Sequence, residues 1–118
     1  MNQTVHRFKA EFFKVLAHPA RLAILDQLRT GAKSVNELQV AIGADQSTVS
    51  QQLARLRAGN IVDTRKEGTA VYYSIRDQMI FQLLDVAREI FNNQLIGTQE
   101  ILQQLNEEAE LVNGKPAD

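Results

Sequence analysis

The sequence predicts a mainly α chain with one small β-hairpin, and three observations carry that prediction. Apolar residues recur at helical spacing through most of the 118 residues. Two short helical segments meet at a glycine-containing break, the pattern of a helix-turn-helix. Just beyond them, around Glu67-Gly68, the apolar period shortens from about 3.6 residues to about 2. A chain of this length makes one domain around a single core.

Thr4 can cap a first helix in which Val5, Phe8, Phe12 and Leu16 keep a four-residue rhythm. That helix stops near His18, because the residue before a proline is pushed out of the α region. Pro19 then suits the first position of the next helix, where its missing N–H costs nothing, and His18 reads as the N-cap. Leu22, Leu25 and Leu28 form the expected buried stripe, and Gly31 ends the helix. Ser34-Val35-Asn36-Glu37 is a capping box, the serine capping forward and the glutamate reaching back. The short helix it opens turns Leu38, Ala41 and Ile42 inward and stops at Gly43. Asp45 caps the next helix, Gln46 to about Ala58, with Val49, Leu53 and Leu56 inward and Gly59-Asn60 as its end.

Ile61 to Lys66 and Ala70 to Ile75 are β-leaning runs, with Val71, Tyr73 and Ile75 alternating against Ala70, Tyr72 and Ser74. Helix returns from Asp77, which reads as a cap. Its apolar positions are Ile80, Leu84, Ala87, Phe91 and Leu95, then Leu102, Leu105, Ala109 and Val112. Gly97-Thr98 either splits this stretch into two helices or sits inside one long one, and because glycine is a poor helix former a break or kink is the favoured of the two. The domain reading is a body at 1–94, a helical extension at 95–112 and a disordered tail at 113–118.

Composition excludes several classes. With no cysteine there is no disulfide scaffold, thiolate nucleophile or thiol redox sensor, and two histidines leave little for a metal site. No apolar run approaches the roughly 18 residues of a bilayer span, and MNQTVHRFKAEFF lacks a signal-peptide plan. The chain therefore reads as cytoplasmic, with no membrane partner. No nucleophile–base pair, phosphate-binding glycine loop or paired buried carboxylates point to an enzyme. The net charge of −1 hides an asymmetry. Residues 1–76 hold 11 Lys/Arg against 6 Asp/Glu, a net +5, while 77–118 hold 2 against 8, a net −6. A basic front and an acidic rear suit a protein that turns one face to a polyanion.

The second helix of the pair carries the sharpest signal. Opposite Val49, Leu53 and Leu56 it presents Ser47, Ser50, Gln51 and Ala54, with Gln46 in its first turn. Faces exposed only to water usually carry Glu and Lys; this one is small, polar and uncharged. Short hydroxyls allow close approach to a groove floor, and glutamine can make a bidentate contact to adenine. Free N–H groups at the helix start suit a phosphate. Arg55, Arg57, Arg65 and Lys66 can grip the backbone on either side, with Thr48 as a secondary contact.

The segments FKVLAHPARLAILDQL (13–28), SVNELQVAIGADQSTVSQQLARLRAGNIV (34–62) and EGTAVYYSI (67–75) together resemble the ArsR/SmtB family of bacterial winged-helix repressors. The resemblance implies a winged helix-turn-helix homodimer joined through its first and last helices. Each recognition helix would enter a major groove of double-stranded DNA while the hairpin wing lies along the backbone. By position, Gln46, Ser47, Ser50 and Gln51 correspond to base-reading residues, Val35 to a contact at the preceding helix start, and Arg65 and Lys66 to wing contacts. Gln51 stands where many members carry Arg or His, which leaves the preferred base there open. The expected dimer interface includes Phe8, Phe12, Leu84, Phe91, Leu102 and Leu105.

The family's metal sites are not inherited. Glu37-Leu38-Gln39-Val40-Ala41 has Gln and Ala where thiolates belong, and Asp77-x-Met79 followed by Ile90 and Asn93 keeps one ligand of four. His6, His18 and the acidic Glu107, Glu108 and Glu110 make no convincing substitute, so no cofactor is expected. Two readings of the 95–112 extension stand: a longer dimer interface, or part of a pocket for a small organic inducer lined by Phe8, Phe12, Phe81 or Phe91. The function expected is a transcriptional repressor acting on an inverted-repeat operator. The alternative is a protein-interaction module whose amphipathic C-terminal helix docks a partner.

Overall fold

The computed structural model describes residues 3–113. The chain divides into two compact units, one ending at Phe81 and the other starting at Gln82. The elements are α1 (Gln3–Leu16), α2 (Pro19–Gln27), a 3-10 turn (Leu28–Thr30), β1 (Lys33–Ser34), α3 (Val35–Ile42), α4 (Gln46–Ala58), β2 (Val62–Glu67), β3 (Ala70–Ile75) and α5 (Met79–Asn113). This is the mainly α chain with a small hairpin that the sequence predicts. No helix among the described residues is long and apolar enough to cross a membrane.

Local chemistry sets most boundaries. His18 is extended, and its Nδ1 accepts the Ala20 N–H at 3.1 Å, with Pro19 opening α2. Both halves of the capping box form: Glu37 N–H donates to Ser34 Oγ at 3.2 Å, and Ser34 N–H donates to Glu37 Oε1 at 3.1 Å. Gly43 closes α3 in the left-handed region, at φ 67°, where a Cβ would be strained. Asp77 caps α5 by accepting the Met79 N–H at 2.9 Å.

The core of the first unit is built mainly of aliphatic side chains, with Arg21 the one charged residue among its buried members in the described residues. Ile24, Leu25, Leu28, Leu38, Val49, Leu53, Leu56 and Val62 are fully buried, each contributing about 1.5–3 kcal/mol by leaving water. The sheet has the order β1-β3-β2, all antiparallel. Within this unit Arg29 also lies over the Phe81 ring, 5.1 Å from its centroid.

Several expectations are corrected. Thr4 lies inside α1 and does not cap it, because the helix already includes Gln3. On α2 the buried stripe is Arg21, Ile24, Leu25 and Leu28, whereas Leu22 is 39% exposed. That set follows i, i+3, i+4, i+7 spacing, and the arginine at its head disguises it in the sequence. Ala41 is exposed, so α3 packs through Leu38 with Ile42 half-buried. The first hairpin strand runs one residue later than expected, since Ile61 donates its N–H back to the Leu56 carbonyl at 2.9 Å. The helix does not break at Gly97-Thr98, because α5 is continuous from Met79 to Asn113. The penalty of one glycine, about 1 kcal/mol, falls in the middle of many helix-favouring residues and is spread across a cooperative unit. Asn113, the first residue of the tail expected at 113–118, is the last residue of that helix. The rest of the tail, 114–118, and the side chain of Val112 lie outside the described residues.

Candidate nucleic-acid interface

The interface is built on the turn between α3 and α4. Asp45, extended at φ −78° and ψ 163°, accepts the Thr48 backbone N–H at 2.7 Å and so fixes where α4 begins. That bond, reinforced by one from the Thr48 side chain, holds the Asp45 carboxyl below the ordinary aspartate range. From this start Val49, Leu53 and Leu56 face the core, each fully buried. Helical geometry then places Ser47, Gln51, Ala54 and Ala58 on one opposite stripe, and all four are exposed.

Of the expected base-reading residues, Ser47 and Gln51 lie centrally on that stripe, and Gln46 is exposed in the first turn. Ser50 and Thr48 sit on the flanks and are half-buried, as is Val35 at the first position of α3. No acidic side chain lies on α4, so the face carries no charge that would repel a phosphate. Arg55 and Arg57 are exposed in its last turn.

The sheet treats the two wing cations differently. Arg65 and Lys66 are neighbours on β2, so their side chains leave opposite faces of the hairpin. Arg65 pairs with Glu67, two residues along the same face, at 2.9 Å, and both ends are solvent-exposed. Such a pair is worth little in water, so Arg65 can exchange it for a phosphate at small cost. At the base of the hairpin Arg76 approaches Asp63 at 3.7 Å.

Sequence reasoning missed one polar link. Arg21 is only 8% exposed, and its Nη1 donates to Gln52 Oε1 at 2.7 Å, tying α2 to the middle of α4. Nothing short-range in the sequence announces that pair, which spans 31 residues. The one signal that bears on it is the position of Arg21 three, four and seven residues before Ile24, Leu25 and Leu28, which puts it on their face of α2. The sequence also missed β1, whose Lys33 and Ser34 pair with Tyr73 and Tyr72 of the wing. The four phenylalanines named as a pocket lining do not line the described cleft of the first unit. Phe81 is buried, Phe8 is 78% exposed, and the cleft lies against Glu11, Lys14, Val15, Arg21 and Arg55.

Comparison with known proteins places this arrangement among regulators. Residues 18–64 match the family model described as "Bacterial regulatory protein, arsR family". An uncharacterized HTH-type transcriptional regulator of Mycobacterium tuberculosis, Rv0081, is 41% identical over 88% of this chain and 92% of its own length. Its crystal structure superposes with a TM-score of 0.73, at 43% identity, covering 80% of this chain and 95% of that one. A biofilm growth-associated repressor of Agrobacterium fabrum is 40% identical over 70% of each chain. The solution structure of a homodimeric winged helix-turn-helix DNA-binding domain from Mycobacterium bovis, Mb0332, has a TM-score of 0.70. It is 31% identical, over 79% of this chain and 86% of that one.

Proposed function

This chain belongs to the arsR family of bacterial regulatory proteins, and we propose that it is a homodimeric transcriptional repressor that binds an inverted-repeat operator. The observation that carries this reading is the exposed, uncharged stripe of α4, with Ser47 and Gln51 at its centre and cations at its end. In this reading Gln46, Ser47, Ser50 and Gln51 read base edges, and Val35, Thr48, Arg55, Arg57, Arg65 and Lys66 hold the backbone. The site of action is the cytoplasm, where the DNA is.

Dimerisation through α1 and α5 is supported by what those helices leave uncovered. Along α5, Ile90, Phe91, Leu95, Ile101, Leu102 and Leu105 are exposed, and on α1 so are Val5 and Phe8. A single helix gains little from such a stripe unless another surface covers it. We assign residues 95–112 to an extension of that interface, and the homodimeric relative from Mycobacterium bovis agrees with a paired arrangement.

Selection of bound duplexes from a random library, followed by titration of the selected and scrambled duplexes at fixed salt, tests the reading. The selected sites should be inverted repeats with half-sites about one or two helical turns apart. Equal affinity for selected and scrambled duplexes would overturn it.

A further inference from the structure

The geometry points to a second ligand site in the first unit, resting on the DNA-binding reading above. The cleft between α1 and the C-terminal end of α4 is a receptor for a small polyanion, one with phosphoryl or clustered carboxylate groups. Its occupancy draws Arg55 away from DNA.

The cleft is a groove open to solvent with a volume of about 420 Å3, within the range of small-molecule sites. Its charged walls are Lys14, Arg21 and Arg55 against one carboxylate, Glu11. Among the described residues none of these four forms an ion pair. Arg21 is the telling member. More than nine-tenths buried, it gives Nη1 to Gln52 Oε1 and Nη2, at a long 3.5 Å, to the Lys14 carbonyl, while Nε is buried with no partner. A guanidinium stays charged whatever its surroundings. Neutral acceptors occupy part of its hydrogen-bonding capacity and leave its charge uncompensated, a costly state for a buried ion. An anion in the cleft supplies the missing counter-charge without displacing either existing bond.

Close packing brings the cations to one opening. At Gly59 an added Cβ would lie 2.7 Å from Val15 Cγ1, so only bare backbone lets the end of α4 press against α1. The opening that results mixes apolar surface from Val15 and Ala58 with an excess of cations, and that excess of positive charge favours an anionic ligand. Arg55 lies one turn beyond Gln51 on the helix that faces DNA. One guanidinium cannot serve a DNA phosphate and a cleft anion at full strength, so the two ligands are coupled negatively and reciprocally.

The test uses the full chain and inorganic pyrophosphate, with a chloride series at matched ionic strength. Lys14→Ala is the diagnostic variant because it removes a cleft cation and keeps the backbone carbonyl that receives Arg21. In wild type, pyrophosphate should move the Val15 and Gly59 amide resonances saturably and weaken binding of a selected duplex by about five-fold or more. Both effects should be lost in Lys14→Ala. Amide changes that do not saturate, that persist in the variant, or that scatter over surface lysines would overturn the site. If Lys14→Ala weakens duplex binding with no pyrophosphate present, the cleft serves a DNA phosphate and the effector role is overturned. If no duplex is bound specifically, the DNA-binding reading fails, and the amide titration still decides the cleft by itself.

Discussion

At the scale of single residues, α4 and its caps divide between side chains that face solvent and groups that hold the helix in place. Gln51 is exposed at the centre of the stripe and contributes nothing to the core. Gln51→Ala should therefore leave folding intact and weaken the selected duplex by about 1–3 kcal/mol while sparing scrambled DNA, as read by paired titrations. Asp45 works through its charge and its acceptor oxygen together. Because the Thr48 bonds lower its folded-state pKa, its stabilising effect is complete above the ordinary aspartate range near pH 4. The effect is lost as pH falls through the lower folded value. Melting at pH 7 and pH 3 should show a smaller acid-induced fall for Asp45→Asn, which keeps the acceptor, than for wild type. Gly59 answers to packing. Gly59→Ala drives a Cβ into Val15, whose branched side chain has few rotamers to retreat to. It should cost about 1–3 kcal/mol in urea unfolding, and Val15→Ala in the same chain should restore part of that.

At the scale of elements, α5 makes the sharpest prediction. Gly97 sits within a continuous helix, and nothing lies within 4 Å of where its Cβ would be. Gly97→Ala should raise thermal stability by about 0.5–1 kcal/mol; a fall would mean that a partner's backbone packs against that position. Of the two readings the sequence leaves open there, the continuous helix holds, because a single glycine's local propensity is outweighed by the cooperativity of a long helix. Elements whose limits rest on neighbouring residues were readable: His18 and Pro19 before α2, the Ser34 and Glu37 box before α3, Gly43 and Asp45 between α3 and α4. Those that rest on distant partners were not. The strand β1 exists only because β3 lies beside it, and a two-residue run has no period to detect. The exchange of Leu22 for Ile24 in the core reflects which side of α2 meets α3 and α4, a choice that leucine spacing does not encode. In the candidate site, Ser47 and Gln51 were legible from the inward stripe of α4. The Arg21–Gln52 link, 31 residues apart, was not.

At the scale of the whole molecule, charge and apolar surface divide between the same two regions. The basic 1–76 portion suits a phosphate-contacting body, and its affinity for DNA should fall linearly on a log–log plot against salt. The uncovered stripe on α5 implies that stability depends on pairing. A tenfold dilution should lower the melting temperature measurably, and a concentration-independent transition would argue against an obligate dimer. The short strand β1 adds a consequence of a different kind. Ser34 is both the N-cap of α3 and the partner of Tyr72, and Tyr72 is opposite Arg65 on the other side. One row of residues thus crosses the sheet from the helix cap to the tip-side cation of the wing. A force on Arg65 would reach the first turn of α3 through cross-strand backbone pairing, with no loop in between to absorb it. The amides of that turn and of the wing should accordingly open as one unit in hydrogen exchange, and gain protection together when DNA is bound.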